Sequence, residues 1–446
     1  MSDDSTTDRF DAVVIGSGSG GSAFAKRAAE LGAKVAVVEM ADLGGVCVNR
    51  GCVPKKLMWH SAHERREARG LAAAGYIEEP SPIHFERLQR QVDHHVGTIR
   101  DGYERTMKEL GIEIVRGRAE LVEGGVRVDG RTLEAPRTVI ACGGKPTALD
   151  IPGWELCDTS DTVFSWTERP ERLLIVGGGY IGVEFATVFS GFDTEVTIAD
   201  EGEHLLEGFD PAAIELVEKH LADCDVRHLP NAELERVERD GNALVATMGD
   251  ERIACDRVIV AIGRTPRIEG LGGFADELER AGNGSLEVSE TFETSRAGVH
   301  AVGDAANRLP LTPVARRDGA WLADHLFGGD AGERLDLSLV ATATYCDPPV
   351  AQVGTTDADE HELHVECGSL DPLRNGLFGD ARAKATYLHK VLSEGKDGPM
   401  RGVVLVSRTA PDEISWAATL LATGAKAGAL RRPGSVHPTF AEELIG

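Results

Sequence analysis

Positive charge is what this 446-residue chain is short of: 47 Lys+Arg stand against 73 Asp+Glu, for a net charge of −26. So acidic a surface excludes nucleic acid and anionic membrane as partners, because both are recognised through basic patches. The acidic excess runs along the whole chain and lysine is scarce beside arginine. The sequence therefore predicts a protein adapted to a salt-rich cytosol, where screening shortens the reach of self-repulsion and an acidic surface keeps the protein soluble. Apolar runs of membrane-spanning length are also missing, which excludes a transmembrane helix. The first eight residues lack the basic segment and apolar core of a signal peptide. Eight cysteines are too few for a secreted disulfide framework. Together these absences predict a cytoplasmic protein in which any disulfide is catalytic rather than structural. There is no low-complexity stretch.

What is there begins with length, enough for two to four domains of roughly 100–150 residues, and with 52 glycines, which imply many tight turns. Two segments resemble each other. In the first, an apolar strand over 12–15 leads into Gly16-Ser17-Gly18-Ser19-Gly20-Gly21, a helix, and a second strand over 34–38 that ends at Glu39. In the second, a strand over 173–176 leads into Gly177-Gly178-Gly179-Tyr180-Ile181-Gly182, a helix, and a strand over 195–198 that is followed by Asp200. Each reads as a βαβ unit with a dinucleotide-binding glycine motif, and each acid lies 23 residues after the first glycine, near the expected spacing of about 20. Gly16 and Gly177 permit the tight turn. Gly18 and Gly179 let backbone meet a pyrophosphate, and Gly21 and Gly182 let helix pack on strand, with the phosphates at the positive helix end. A pair of ligand-free turns would not need every one of these features twice. Two such sites predict two cofactors: FAD at the first, with Glu39 on a ribose diol, and a nicotinamide dinucleotide at the second.

Between the two units, residues 55–110 read as helical and charged; strands return over 112–115 and 138–141. Further strands end in the run 258–263, and a segment from about 337 mixes strands and helices. The stretch Gly44-Gly45-Val46-Cys47-Val48-Asn49-Arg50-Gly51-Cys52-Val53-Pro54-Lys55-Lys56 carries the most information. Its two cysteines can bridge if the backbone turns, and they sit where a helix is expected to begin, a position that favours thiolate. A stapling disulfide is unusual in a cytosol, and a zinc half-site would want a second ligand pair at short spacing.

This stretch resembles the redox motif of glutathione reductase, Gly-Gly-Thr-Cys-Val-Asn-Val-Gly-Cys-Val-Pro-Lys-Lys, with Val46 and Arg50 as the substitutions. The similarity continues through Leu57-Met58-Trp59 and covers nearly the whole chain, to the final His437-Pro438-Thr439 and Glu442-Glu443. The family is that of the flavin-dependent pyridine nucleotide–disulfide oxidoreductases. The resemblance implies an α/β fold with two Rossmann-like dinucleotide-binding domains and a C-terminal α+β dimerisation domain. The implied domains are an FAD-binding domain over 1–147 with the redox pair, an NAD(P)-binding domain over 148–265, a central domain over 266–336 completing the FAD site, and an interface domain over 337–446.

It also implies site residues. Cys52 would lie against the flavin as the charge-transfer thiolate, and Cys47 would attack substrate. Lys55 would pair with Glu184 near the flavin. Tyr180 would gate the nicotinamide pocket, Asp304 would bind the ribityl chain, and Thr312 would approach the flavin pyrimidine edge. Ser19, Gly45, Val46, Cys47, Lys56, Gly143, Ile181, Gly263, Arg264, Gly303 and Leu311 complete the expected cofactor contacts. His437 and Glu442 would come from the partner subunit of a homodimer. An imidazole can take and return a proton near neutrality, and a carboxylate can fix its tautomer.

The chain departs from this pattern at two places. At the second nucleotide site Asp200 and Glu207 replace expected arginines, and an acid there accepts a ribose hydroxyl and repels a 2′-phosphate. The site chemistry leans to NADH and the resemblance to NADPH. At the substrate site, Ser19, Lys26, His95, Tyr103 and Glu443 are the expected contacts, and Ala320 stands where an anchoring Arg is expected. The expected substrate is bis-γ-glutamylcystine, which is glutathione disulfide without its glycines; glutathione disulfide is next. Dihydrolipoamide dehydrogenase is disfavoured because Cys-Ile-Pro-Ser-Lys is replaced by Cys52-Val53-Pro54-Lys55-Lys56. Mercuric reductase is disfavoured because no cysteine follows Cys367, and a flavin-bound redox sensor because of the His437–Glu442 pair. No metal site is expected. The other six cysteines read as small buried hydrophobes.

Overall fold

The structure is a computed structural model, and it describes residues 7–356, 363–370, 387–430 and 432, with 7 and 366–370 as backbone only. Six helices frame the glycine motifs and the cysteine pair: α1 (Ser19–Glu30), α2 (Gly45–Asn49), α3 (Cys52–Ala73), α4 (Phe85–Glu109), α5 (Tyr180–Ser190) and α6 (Thr312–Ala323). The chain divides into two compact units, each built from separated segments.

The first unit holds 1–55, 89–147 and 263–335. Its centre is a five-stranded parallel sheet in the order Val299–Ala301, Thr138–Ile140, Ala12–Ile15, Val35–Glu39, Glu113–Arg116. Ala12–Ile15 is buried at every position, as continuous apolar strands of a parallel sheet covered on both faces should be. Burying each Val or Ile there contributes about 1.5–3 kcal/mol. Helix α1 packs along α6 at a close crossing: a Cβ on Gly319 would come within 2.3 Å of the Gly20 carbonyl oxygen.

The second unit holds 56–88, 148–262 and 336–446. It repeats the plan with a five-stranded parallel sheet ordered Asp158–Thr159, Arg257–Val260, Arg172–Val176, Glu195–Ala199, Arg227–Leu229. It adds a three-stranded antiparallel meander over Arg236–Cys255. Its C-terminal part is a five-stranded antiparallel sheet, with the helix Ala410–Ala422 packed on strands Val350–Gly354 and Met400–Val406. The helical region expected over 55–110 is formed by α3 and α4, separated by a segment with Gly75, Pro80 and Pro82, residues that do not continue a helix. One expectation is corrected. Cys142, Cys157 and Cys224 are only half-buried, against the expectation of buried cysteines; Cys255 and Cys346 are buried.

Candidate active site

The two glycine motifs fold alike. Gly16 and Gly177 take φ of +101° and +108°, and a Cβ would reach 2.4 Å from the Ala141 oxygen in the first and 2.6 Å from the Ala261 oxygen in the second. Both the conformation and the space therefore require glycine. At the helix packing positions, a Cβ on Gly21 or Gly182 would come within 2.1 or 1.9 Å of the carbonyl oxygen of the motif's first glycine.

The acid at the end of each second strand is wired to its motif in the same way. Ser17 donates to Glu39 from its backbone N–H at 2.9 Å and from its hydroxyl at 2.7 Å, and the Ala41 N–H donates at 2.9 Å. Gly178 N–H donates to Asp200, and Gly202 N–H does so at 2.8 Å. In each case the carboxylate braces the phosphate-binding turn. The cradles fit dinucleotides: a Cβ on Gly179 would meet nothing within 4 Å, and Gly18 would meet only the Gly45 Cα at 3.9 Å. Room is thus left for a pyrophosphate at the N-termini of α1 and α5.

The remaining cofactor candidates of the first unit lie on its turns. Gly143, Gly263 and Gly303 take φ of +68°, +109° and +67°. The Arg264 guanidinium donates to the Gly144 carbonyl at 2.8 Å. Burial raises the Asp304 carboxyl above its ordinary range, with the Arg264 charge opposing. A half-buried carboxylate of this kind suits a polyol hydroxyl. Leu311 caps α6 with extended backbone, and Thr312 opens it. In the second unit Tyr180 is exposed and Ile181 half-buried at the start of α5. Glu184 is buried and accepts the Tyr345 N–H at 2.9 Å. The Lys56 ammonium lies 3.8 Å from the Trp59 ring centre and 3.5 Å from that of Tyr345.

The cysteine pair occupies the turn from α2 to α3. Asn49 holds that turn, donating to the Leu43 and Gly45 carbonyls at 2.9 Å each. Val46 accepts the Arg50 N–H at 2.8 Å. Cys47 is half-buried on α2; Cys52 is exposed and is the first residue of the 22-residue α3, with Pro54 in the first turn where a missing N–H costs nothing. Both are free thiols. The Thr312 hydroxyl lies 3.8 Å from the Cys52 sulfur.

The pair shares its proton unequally. A hydrogen bond from Cys47 brings the Cys52 thiol down to about 6, helped by Thr312 and the Lys55 charge and opposed by burial. The same hydrogen bond, with burial, drives Cys47 far upward. Cys52 is therefore the thiolate and Cys47 holds the proton, as the field of a helix N-terminus favours.

Of the expected substrate contacts, Ser19 opens α1, and Lys26 lies two turns on with its ammonium 4.4 Å from the Tyr103 ring centre. His95 is exposed on α4, with no described contact to the others. His437, Glu442 and Glu443 lie outside the described residues. Trp59 and Tyr345, packed around Lys56 and Glu184, are additions to the expected set. The Leu57-Met58-Trp59 run is the only sequence signal for them. No cluster of His, Cys, Asp or Glu among the described residues could hold a metal, and no described helix is long and apolar enough to cross a membrane.

Residues 10–319 match the pyridine nucleotide-disulphide oxidoreductase family and residues 340–445 its dimerisation domain. The chain is 34% identical to a glutathione reductase of Burkholderia cepacia over 444 residues and 31% identical to one of Nostoc sp. over 461, covering 98% of each chain in both cases. A glutathione reductase of Yarrowia lipolytica is 31% identical at the same coverage. Among solved structures, the HOCl-induced flavoprotein disulfide reductase RclA of Escherichia coli, as its Cu(II) complex, superposes with a TM-score of 0.87 at 25% identity, with 98% of each chain covered. Two dinucleotide cradles, a thiol–thiolate pair at a helix start and these likenesses converge: the chain belongs to the pyridine nucleotide-disulphide oxidoreductases, as a homodimeric, FAD- and NAD(P)H-dependent disulfide reductase of the glutathione reductase type.

Proposed function

We propose that this enzyme reduces a low-molecular-weight disulfide in a salt-rich cytosol, with bis-γ-glutamylcystine preferred and glutathione disulfide next. The observation that carries the mechanism is the Cys47–Cys52 pair, set on the turn from α2 into α3 with the Thr312 hydroxyl 3.8 Å from the Cys52 sulfur. Bound FAD supplies the two-electron link between reduced nicotinamide and sulfur; Gly16, Gly18, Glu39, Gly45, Asp304 and Thr312 would hold it, and Gly177, Gly179 and Asp200 would hold the nicotinamide dinucleotide.

The chain's own residues do the rest. In the dithiol form, Cys47 gives its proton to His437 of the partner subunit and attacks one substrate sulfur. The substrate S–S bond breaks, a mixed disulfide forms on Cys47, and the first thiol leaves with the proton returned by His437. The Cys52 thiolate then attacks the Cys47 sulfur, which re-forms the Cys47–Cys52 disulfide and expels the second half of the substrate as a thiolate that takes its proton from water. Glu442 keeps the imidazole in the tautomer that can do this. Lys26, Tyr103, Ser19, His95 and Glu443 orient the substrate.

A turnover panel of bis-γ-glutamylcystine, glutathione disulfide and lipoamide in concentrated salt tests the substrate. The kcat/KM values should fall in that order; faster turnover of glutathione disulfide would overturn it. The roles of the two cysteines separate spectroscopically. Cys47→Ser should keep the long-wavelength absorbance of a thiolate against flavin, and Cys52→Ser should lose it.

A further inference from the structure

The face of the first unit where α1 and α6 pack side by side carries a cation that no step of the disulfide reaction uses. The two helices run in register: Gly20 meets Ala315 and Gly319, and the Arg27 guanidinium bonds Asp324 at 2.7 Å. Two arginines here are neutralised in place. Arg27 has Asp324 and Glu30, and Arg308 has Asp318 through two bonds of 3.0 and 3.1 Å. Arg316 is exposed on α6 and, among the described residues, makes no ion pair or side-chain hydrogen bond. Its charge is felt on α1 by another cation. Burial lowers the Lys26 ammonium, and the Arg316 charge lowers it further, only partly offset by Glu30. In a chain of net charge −26, two mutually repelling cations, one of them over the Tyr103 ring, form a local electropositive spot suited to an anion.

Its distance from the redox pair gives that spot its meaning. Thr312, which touches the Cys52 sulfur, is one helical turn before Arg316 and two before Ala320. One turn is about 5.4 Å along the axis. Adding one residue to a substrate arm moves its terminal carboxylate outward by about 3.5 Å. A cation at 316 rather than 320 therefore suits a carboxylate held closer to the reacting sulfur.

We propose that Arg316 is a specificity-determining residue: with Lys26, it binds a carboxylate carried directly on the half-cystine of the substrate, and so selects disulfides without a further residue beyond the cysteine. The assignment rests on the disulfide reductase reading and on Cys47–Cys52 as the redox pair. It makes Arg316 the anchor that replaces the cation missing at Ala320.

The test is the ratio of kcat/KM for bis-γ-glutamylcystine to that for glutathione disulfide, on the FAD-loaded full-length dimer. Arg316→Ala should lower the ratio about tenfold, chiefly through KM, as loss of one charge-assisted hydrogen bond does. Arg316→Lys should recover part of it. Arg317→Ala, which removes the same charge from the next residue of α6, should leave the ratio where it was. The double variant Arg316→Ala/Ala320→Arg, which moves the cation one turn outward, should turn the preference toward glutathione disulfide. Thermal midpoints establish that each variant is folded. If Arg316→Ala lowers both kcat/KM values equally or neither, the assignment of Arg316 is overturned while the disulfide reductase reading stands. If the unaltered enzyme reduces neither disulfide, both are overturned.

Discussion

The two dinucleotide cradles are the same device built to two degrees of closure. In the first unit the acid is buried and takes three hydrogen bonds, one from the Ser17 hydroxyl. In the second a glycine occupies the serine's place, and the half-buried Asp200 takes two. Gly18 has the Gly45 backbone across from it, whereas Gly179 faces open space and the following Tyr180 is exposed. A cofactor that stays through every cycle needs an enclosed, fully satisfied site. One that arrives reduced and departs oxidised needs an open one, and the extra hydrogen bond and the burial suit the first cradle to the resident cofactor of the proposed function.

The widest separation between the two sites should come from their acids. Glu39→Ala strips three partners from a buried carboxylate and leaves the Ser17 and Ala41 N–H groups unmet. The fold should lose about 3 kcal/mol, and the protein should purify without flavin, as read by absorbance and the unfolding midpoint. Asp200→Ala should keep its flavin. Its kcat/KM for NADH should fall about tenfold while that for NADPH does not fall, since the acid bonds a ribose hydroxyl and repels a phosphate. Flavin loss in Asp200→Ala but not in Glu39→Ala would reverse the comparison.

Within the second cradle, packing and binding separate by glycine. Gly182→Ala forces a Cβ to 1.9 Å from the Gly177 oxygen and should destabilise by about 1–3 kcal/mol. Gly179→Ala adds a methyl to open space, so it should leave the unfolding midpoint alone and raise the KM for the nicotinamide cofactor. A shifted midpoint in Gly179→Ala would show that this backbone is not exposed to the ligand.

The smallest effect to resolve is a titration. In the reduced protein the Cys52 thiolate absorbance should titrate with a midpoint near 6, below the ordinary thiol value of about 8.5. Because that value is lowered on folding, its contribution to stability is complete above about 8.5 and is lost as pH falls through 6. Cys47→Ala removes the donor and should move the midpoint upward; an unmoved midpoint would show that the helix and Lys55 alone set it.

The parallel sheets, both glycine motifs and the redox turn were legible in the sequence because their physics is local. Doubly covered strands read as unbroken apolar runs, and the glycines and cysteines act within one turn of one another. Contacts between distant segments left no such trace. The half-buried Asp347 accepts from Arg66 at 2.5 Å and lies 3.2 Å from His63, 281 and 284 positions away. The Lys56 ammonium meets Tyr345, 289 residues on, and nothing near either residue announces the pairing. Arg316 reads as one of two adjacent arginines until α1 and α6 are packed together. The half-burial of Cys142, Cys157 and Cys224, which lie at the ends of elements, depends on what packs over those ends, which composition does not encode.

Anaerobic titration with NADPH or NADH, followed by differential alkylation and peptide mass spectrometry, tests the central claim most directly. As isolated, the oxidised protein should yield a peptide pair linked through Cys47 and Cys52. One equivalent of reduced cofactor should convert that pair, and no other cysteine, to two alkylated thiols. Cys47 and Cys52 alkylated before any reductant is added, or still linked after the flavin has been reduced, would contradict the account.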